Sequence, residues 1–240
     1  VKRRAFICGG MAAILAFRRA PAFCVAMRNG MMRPSAPPTP PLPYDAEVRW
    51  LESTGTQYID TGLPISQGYR FVTNVAFVGS ESTIGSQNIV WYAQNGFNVF
   101  QCSTTVNTPA VSSQIPTIDT SGNVFYEIDQ RIFAGDKSVA IDGVVYATAT
   151  SSTLVSIPNW NYLLFAGVTA ASGGRILNYG YVKCQNFAMY DSNNRALIDL
   201  ISIRFTNEQG VSEGAMYDRV SGQLFRNAGT GAFVIGPDKS

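Results

Sequence analysis

Histidine is absent from all 240 residues. That removes the usual general base at neutral pH, the commonest zinc ligand and the centre of a Ser-His-Asp triad. Cysteine is scarce, and of Cys8, Cys24, Cys102 and Cys184 only the last two lie beyond Tyr44. Two cysteines do not make a disulfide framework. They could form one bridge in an oxidising compartment, but two separate buried thiols are the plainer expectation. No acidic residue precedes Asp45. A membrane-length apolar run is missing too: Ala5–Phe17 offers 13 residues before Arg18-Arg19 stop it, against about 20 needed to span hydrocarbon.

These absences divide the chain. Lys2, Arg3, Arg4, Arg18, Arg19, Arg28 and Arg33 supply all the basic charge before Arg49, leaving 11 basic and 16 acidic residues behind them, a net charge of −5. An acidic body is a poor partner for phosphate backbones, so nucleic-acid binding is not expected. The three parts are a basic and apolar head over 1–30, a proline-rich linker over 31–44 and a body over 45–240 that suits one domain. The head has a charged start, a short apolar stretch and the small-x-small site Ala20-Pro21-Ala22, the pattern of an export signal. Arg3-Arg4-x-Phe6-Ile7 resembles a twin-arginine signal, which would make Ala22 the last residue removed. Cys8 follows Ile7 and Cys24 follows Phe23, so neither has the small preceding residue that lipid modification needs. The linker holds Pro34, Pro37, Pro38, Pro40, Pro41 and Pro43. Proline at this density favours an extended spacer without backbone donors.

Two-residue periodicity dominates the body. Tyr69, Phe71, Val75 and Phe77 alternate with polar or small residues, with Val72 and Thr73 as imperfections. Val124, Tyr126 and Ile128 alternate with Phe125, Glu127 and Asp129. Val139–Ile141 and Val144–Tyr146 flank Asp142-Gly143, a hairpin signal because both linking positions must tolerate positive φ. Tyr162–Phe165 fits a central strand. Leu197–Ile203 has some helical spacing, yet Ile198, Ile201 and Ile203 favour a strand. Short strands with turn signals and no βαβ spacing predict an antiparallel β-sandwich.

Two polar, glycine-studded strings bracket the body: LESTGTQYIDTG at Leu51–Gly62 and GAMYDRVSGQLFRNAGTG at Gly214–Gly231. Both resemble the opening and closing segments of laminin-G-like, concanavalin-A-like lectin and glucanase domains, of a type found in uncharacterised bacterial surface and phage-encoded proteins. The resemblance spans Asp45 to Lys239. It implies an all-β, antiparallel two-sheet jelly roll whose first and last strands pair. In it the hairpin at Lys137–Gly143 is a recurrent feature, and Ala188–Asp191 followed by Ser192-Asn193-Asn194 makes a late strand and turn. Gly55, Gly62, Gly222, Gly229 and Gly231 read as turn residues. Tyr58, Tyr217 and Phe225 read as apolar closure, Asp218 as an acceptor for loop amides, and Trp50 as a core residue.

Three chemistries could be carried by these residues. Glu127 and Asp129 share a strand face, as paired acids do in related glycosidases, but the second glutamate is missing. Arg131 falls on the same face, so a salt-bridged surface is expected and not an enzyme. The aspartates show no calcium-loop spacing, although the family resemblance allows one calcium ion. Carbohydrate recognition favours aromatic planes beside amides. The candidate residues are Trp91, Tyr92 and Asn95 in one cluster and Trp160 and Asn161 in another. The expected function is a non-catalytic, exported binding module with glycan as ligand class, at the cell surface or in the periplasm and without a stable membrane span. The alternatives are a phage virion structural or host-attachment protein and, less favoured, a glycoside hydrolase.

Overall fold

The computed structural model describes residues 41–66, 68–79, 89–95, 98–103, 105–108, 111–114, 119–133, 136–149, 156–169, 175–177 and 180–240. The head and most of the linker lie outside the described residues. Pro41–Ser240 forms one compact unit. It is all-β, with no helix among the described residues.

The largest sheet joins two strand meanders through one early strand. The first meander is β9 (Tyr126–Phe133), β10 (Asp136–Ile141) and β11 (Val144–Ala149). The second is β15 (Val182–Tyr190), β16 (Ala196–Thr206), β17 (Ser212–Asp218) and β18 (Leu224–Phe225). Between them runs β4 (Tyr69–Phe77), antiparallel to β9 on one side and β15 on the other. Three short strands complete this sheet: β1 (Ala46–Glu47) on β16, and β2 (Leu51–Glu52) between β15 and β19 (Val234–Ile235). A ribbon of β3 (Ile59–Ser66) and β12 (Ser156–Leu164) stands apart. A third sheet runs β14 (Arg175–Leu177), β13 (Gly167–Thr169), β5 (Ile89–Asn95), β6 (Asn98–Ser103), β7 (Thr105–Thr108) and β8 (Val111–Gln114). Its β5–β13 pair is parallel, the one departure from antiparallel pairing among the described strands.

Why the large sheet has a buried inner face follows from β4. Phe71, Thr73, Val75 and Phe77 all point inward, so Thr73 continues the alternation that its sequence seemed to interrupt. Its hydroxyl is satisfied there, donating to the Asn186 carbonyl at 2.7 Å beside a bulge in β15. A buried hydroxyl is tolerated only with such a partner. Phe71, Ile128, Ile132, Cys184, Phe187 and Met189 meet Ile59, Ile65, Tyr162 and Leu164 of the β3–β12 ribbon in one core. This packing of sheet face on ribbon is compatible with a β-sandwich.

Several sequence expectations are met. Asp142 and Gly143 both adopt positive φ, 48° and 77°, and link β10 to β11 as a primed turn does. Leu197–Ile203 is strand throughout, within β16. The Ser192–Asn194 turn is tied by Asp191, whose Oδ1 accepts from the Asn193 and Arg195 amides. Tyr162–Phe165 is buried, but its strand ends at Leu164 and belongs to the two-stranded ribbon; Phe165 leaves it at φ 70°.

The bracketing strings face each other. Ala228 N donates to Tyr58 O and Thr230 N to Thr56 O, while Thr56 Oγ1 donates to Thr230 O. Asn227 Oδ1 accepts from Tyr58 N at 3.1 Å. Within the first string, the buried Gln57 turns its Oε1 back to the Thr54 amide at 2.8 Å, which organises the loop before β3. The ends of the domain thus pair as the resemblance implied. Tyr58 and Phe225 pack against the main core, but Tyr217 does not. Its ring packs against Tyr44, with centroids 5.0 Å apart and planes tilted by 59°, over a second apolar cluster of Ile201, Ile203, Phe205 and Ala215 on the sheet's other face. Trp50 is also not a core residue. It is half-buried, with the Lys183 ammonium 4.7 Å from its ring centroid.

Candidate functional site

The two aromatic clusters read from the sequence fall on neighbouring strands. Trp91, Tyr92 and Asn95 lie on β5, where only the backbone is described; their side chains lie outside the described residues. Trp160 and Asn161 lie on β12, which runs close to β5. Trp160 is half-buried and packs against the main core, so part of its ring is committed to packing. The Asn161 amide donates to Asp60 Oδ1 at 3.0 Å, and the same oxygen accepts from Gly62 N. Asn161 is therefore a positioned side chain beside an exposed carboxylate.

A second constellation, which sequence reasoning missed, occupies the outer face of the large sheet. Strand alternation puts Arg70 of β4, Asp129 and Arg131 of β9 and Tyr190 of β15 there. Register brings them together, since Arg70 pairs with Arg131 on one side and with Tyr190 on the other. The Arg70 guanidinium makes a fork to Asp129, Nε to Oδ1 at 2.9 Å and Nη2 to Oδ2 at 2.8 Å. Its Nη1 donates to Asn194 Oδ1 at 2.9 Å, and its carbon lies 5.4 Å from the Tyr190 ring centroid. The hydrogen bonds that Arg70 donates to Asp129 raise its pKa above its ordinary value, so the group is charged at any working pH. The pair is partly exposed, at 26% and 21%, and solvent screens its contribution to stability.

The expected salt-bridged face is thus present, but the partner of Asp129 is Arg70 across the β4–β9 pair. This arrangement serves geometry more than stability. Both Asp129 oxygens are held by the fork, and Glu127 is exposed. Beside the pair opens a cleft of about 420 Å³ lined by Arg70, Arg131, Phe133, Asp191, Ser192 and Asn194. Asn194, held at φ 59°, presents its amide from the turn. The cleft combines guanidinium donors, a carboxylate, a hydroxyl, an amide and the half-buried Phe133 ring.

Cys184 is the buried thiol of β15, and it is free. Burial pushes its pKa up to about 12, opposed only in part by hydrogen bonds with Thr73 and Asn186. A thiol held neutral is a poor nucleophile. In the folded chain, iodoacetamide at pH 8 should leave the Cys184 peptide unmodified over hours, with rapid labelling in denaturant. Peptide mapping that finds Cys184 alkylated as fast in native as in denatured protein would contradict this packing. The Cys102 side chain lies outside the described residues.

Among the described residues, no cluster of acids and cysteines is placed to hold a metal ion, and no helix is long and apolar enough to cross a membrane. Comparison of the chain with protein-family models and with curated protein sequences returned no match.

Proposed function

We propose that this chain is a non-catalytic recognition module acting outside the cytoplasm, with glycans as its ligand class and a laminin-G-like jelly roll as its framework. The observation that carries this reading is the Arg70 cleft. It sets a half-buried aromatic ring, Phe133, beside donors and acceptors fixed by the Arg70–Asp129–Asn194 network. Sugars offer C–H faces to aromatic rings and hydroxyls that donate and accept at once. Preformed polar groups bind them with less ordering cost than mobile ones. The non-catalytic part is supported by Asp129, whose two oxygens are both engaged by Arg70. The extracytoplasmic part rests on the export-like head and the proline spacer.

A broad glycan array probed with the full chain tests the reading. Binding is expected to some glycans, weakened at least about tenfold by Phe133→Ala or Asn194→Ala. The double variant Trp91→Ala plus Trp160→Ala probes the β5–β12 surface in parallel. Loss in that variant alone would move the site there, and silence across the whole array would remove glycans as the ligand class. N-terminal sequencing of exported material decides the head: residues before Phe23 retained in it would end the signal reading.

A further inference from the structure

The closing string does more than complete the fold. Between the turn at 207–211 and the Asn227–Phe233 segment lies a second cleft, about 310 Å³, with Glu213, Arg226, Asn227 and Phe233 in its walls and the exposed Val211 at its mouth. Arg70, Arg195, Arg204 and Arg219 are each ion-paired with an aspartate. Arg226 has no ion-pair partner among the described residues, although Glu213 borders the same cleft. Instead its guanidinium lies over the Phe205 ring, 4.7 Å from the centroid.

The Phe205 face holds the guanidinium plane without using up its five N–H donors. A planar fork that is already positioned and still has its donors available is suited to take a carboxylate in two parallel hydrogen bonds. Glu213 narrows the choice of anion. It accepts from the Asn207 amide and brings negative charge to the cleft. A phosphate or sulfate, with its denser charge, would be repelled there, whereas a carboxylate on a hydroxyl-bearing skeleton gives Glu213 hydroxyl donors to accept from. The exposed Val211 gives the C–H side of such a skeleton an apolar contact.

We infer that this cleft is a second binding site, specific for the carboxylate of a uronate-bearing glycan, with Arg226 as its anchor. The choice of a sugar as carrier of the carboxylate rests on the glycan reading above. Calorimetric titration of the full chain with a trigalacturonate and with its neutral galactose counterpart tests it, beside a short peptide whose only anion is its terminal carboxylate. The trigalacturonate should bind and the neutral trimer should bind at least about tenfold more weakly. Arg226→Ala should abolish the difference between the two sugars. Arg226→Lys should restore only part of it, since a point charge lacks the fork. Phe133→Ala, in the other cleft, should leave the difference intact, and thermal melting of each variant controls for folding. An unchanged preference in Arg226→Ala, no preference in the wild type, or binding of the peptide in place of the sugar would each overturn the inference. Binding of neutral glycans without any preference for the uronate would overturn it while leaving the glycan reading standing. If trigalacturonate alone binds and the whole array of neutral glycans is silent, the inference holds and the Arg70 cleft loses its assignment.

Discussion

Gly229→Ala should destabilise the domain by about 3–5 kcal/mol, through overpacking and lost hydrogen bonds together. A Cβ on Gly229 would fall 2.1 Å from the Thr56 carbonyl oxygen and 3.0 Å from Tyr58 Cδ1. The first atom is backbone, so no rotamer change relieves the contact. One of the two strings must move, and that carries away the bonds from Ala228 N to Tyr58 O and from Thr230 N to Thr56 O. For a domain of this size, the loss corresponds to a fall in Tm of roughly 10 °C. Gly210→Ala is the contrasting control. Gly210 has positive φ, 78°, which Gly229 does not, but its Cβ would meet nothing within 4 Å, and only the backbone cost of about 1 kcal/mol is expected there. Thermal melts of the two variants that superimpose would refute the claim that close approach, and not turn conformation, is what Gly229 supplies.

Asp218→Ala should cost about 3–4 kcal/mol, because it strands donors that a buried charge now satisfies. Asp218 is 1% exposed at the end of β17. Its carboxylate accepts from Asp199 N at 2.7 Å, Val220 N at 3.1 Å, Ser221 N at 3.0 Å and Ser221 Oγ at 2.6 Å. Burial by itself would raise its pKa, but these hydrogen bonds outweigh burial and hold it below the ordinary carboxylate value. The pH dependence has a definite sign. A group whose pKa is lower folded than unfolded contributes stability above its unfolded pKa, about 4. That contribution is lost as pH falls through the folded value. Urea denaturation from pH 7 to pH 2 should therefore show the wild type losing stability below about pH 4. Asp218→Asn should be less stable at pH 7 and show a shallower acid limb. An Asn variant whose curve runs parallel to the wild type throughout would show that Asp218 is not the titrating group.

The loop role of Asp218 could be read from its place beside Ser221 and Gly222, because aspartate in such a sequence bonds the amides that follow it. The Asp142-Gly143 hairpin was equally legible, since a two-residue link between apolar runs has few backbone solutions. The pairing of the bracketing strings was implied by their resemblance to closing segments. The Arg70 cleft was not legible. Arg70, Asp129 and Tyr190 meet only through the registers of β4 with β9 and β15, and single-sequence periodicity reports which face a residue takes but not what lies across from it. Thr73 marks the same limit from the other side. Its hydroxyl reads as an interruption until the β15 bulge places a carbonyl against it. Tyr217 reads as apolar closure from its place in the closing string; only the second cluster under Tyr44 shows where its ring goes.

The paired ends of the domain also determine how it carries load. Glu47–Glu52 and Val234–Lys239 run antiparallel, bonded from Lys239 N to Glu47 O at one end to the Leu51–Ile235 pair further in. Tension applied at Asp45 on one side and at Ser240 on the other would pull at the same end of this ladder. Its rungs would then open one after another, like a zip, and would not resist together as they do when strands are sheared lengthwise. Under such a load the short β2 and β19 strands at this edge of the large sheet would part first, at low force, before the β4–β9 and β4–β15 pairs that carry Arg70.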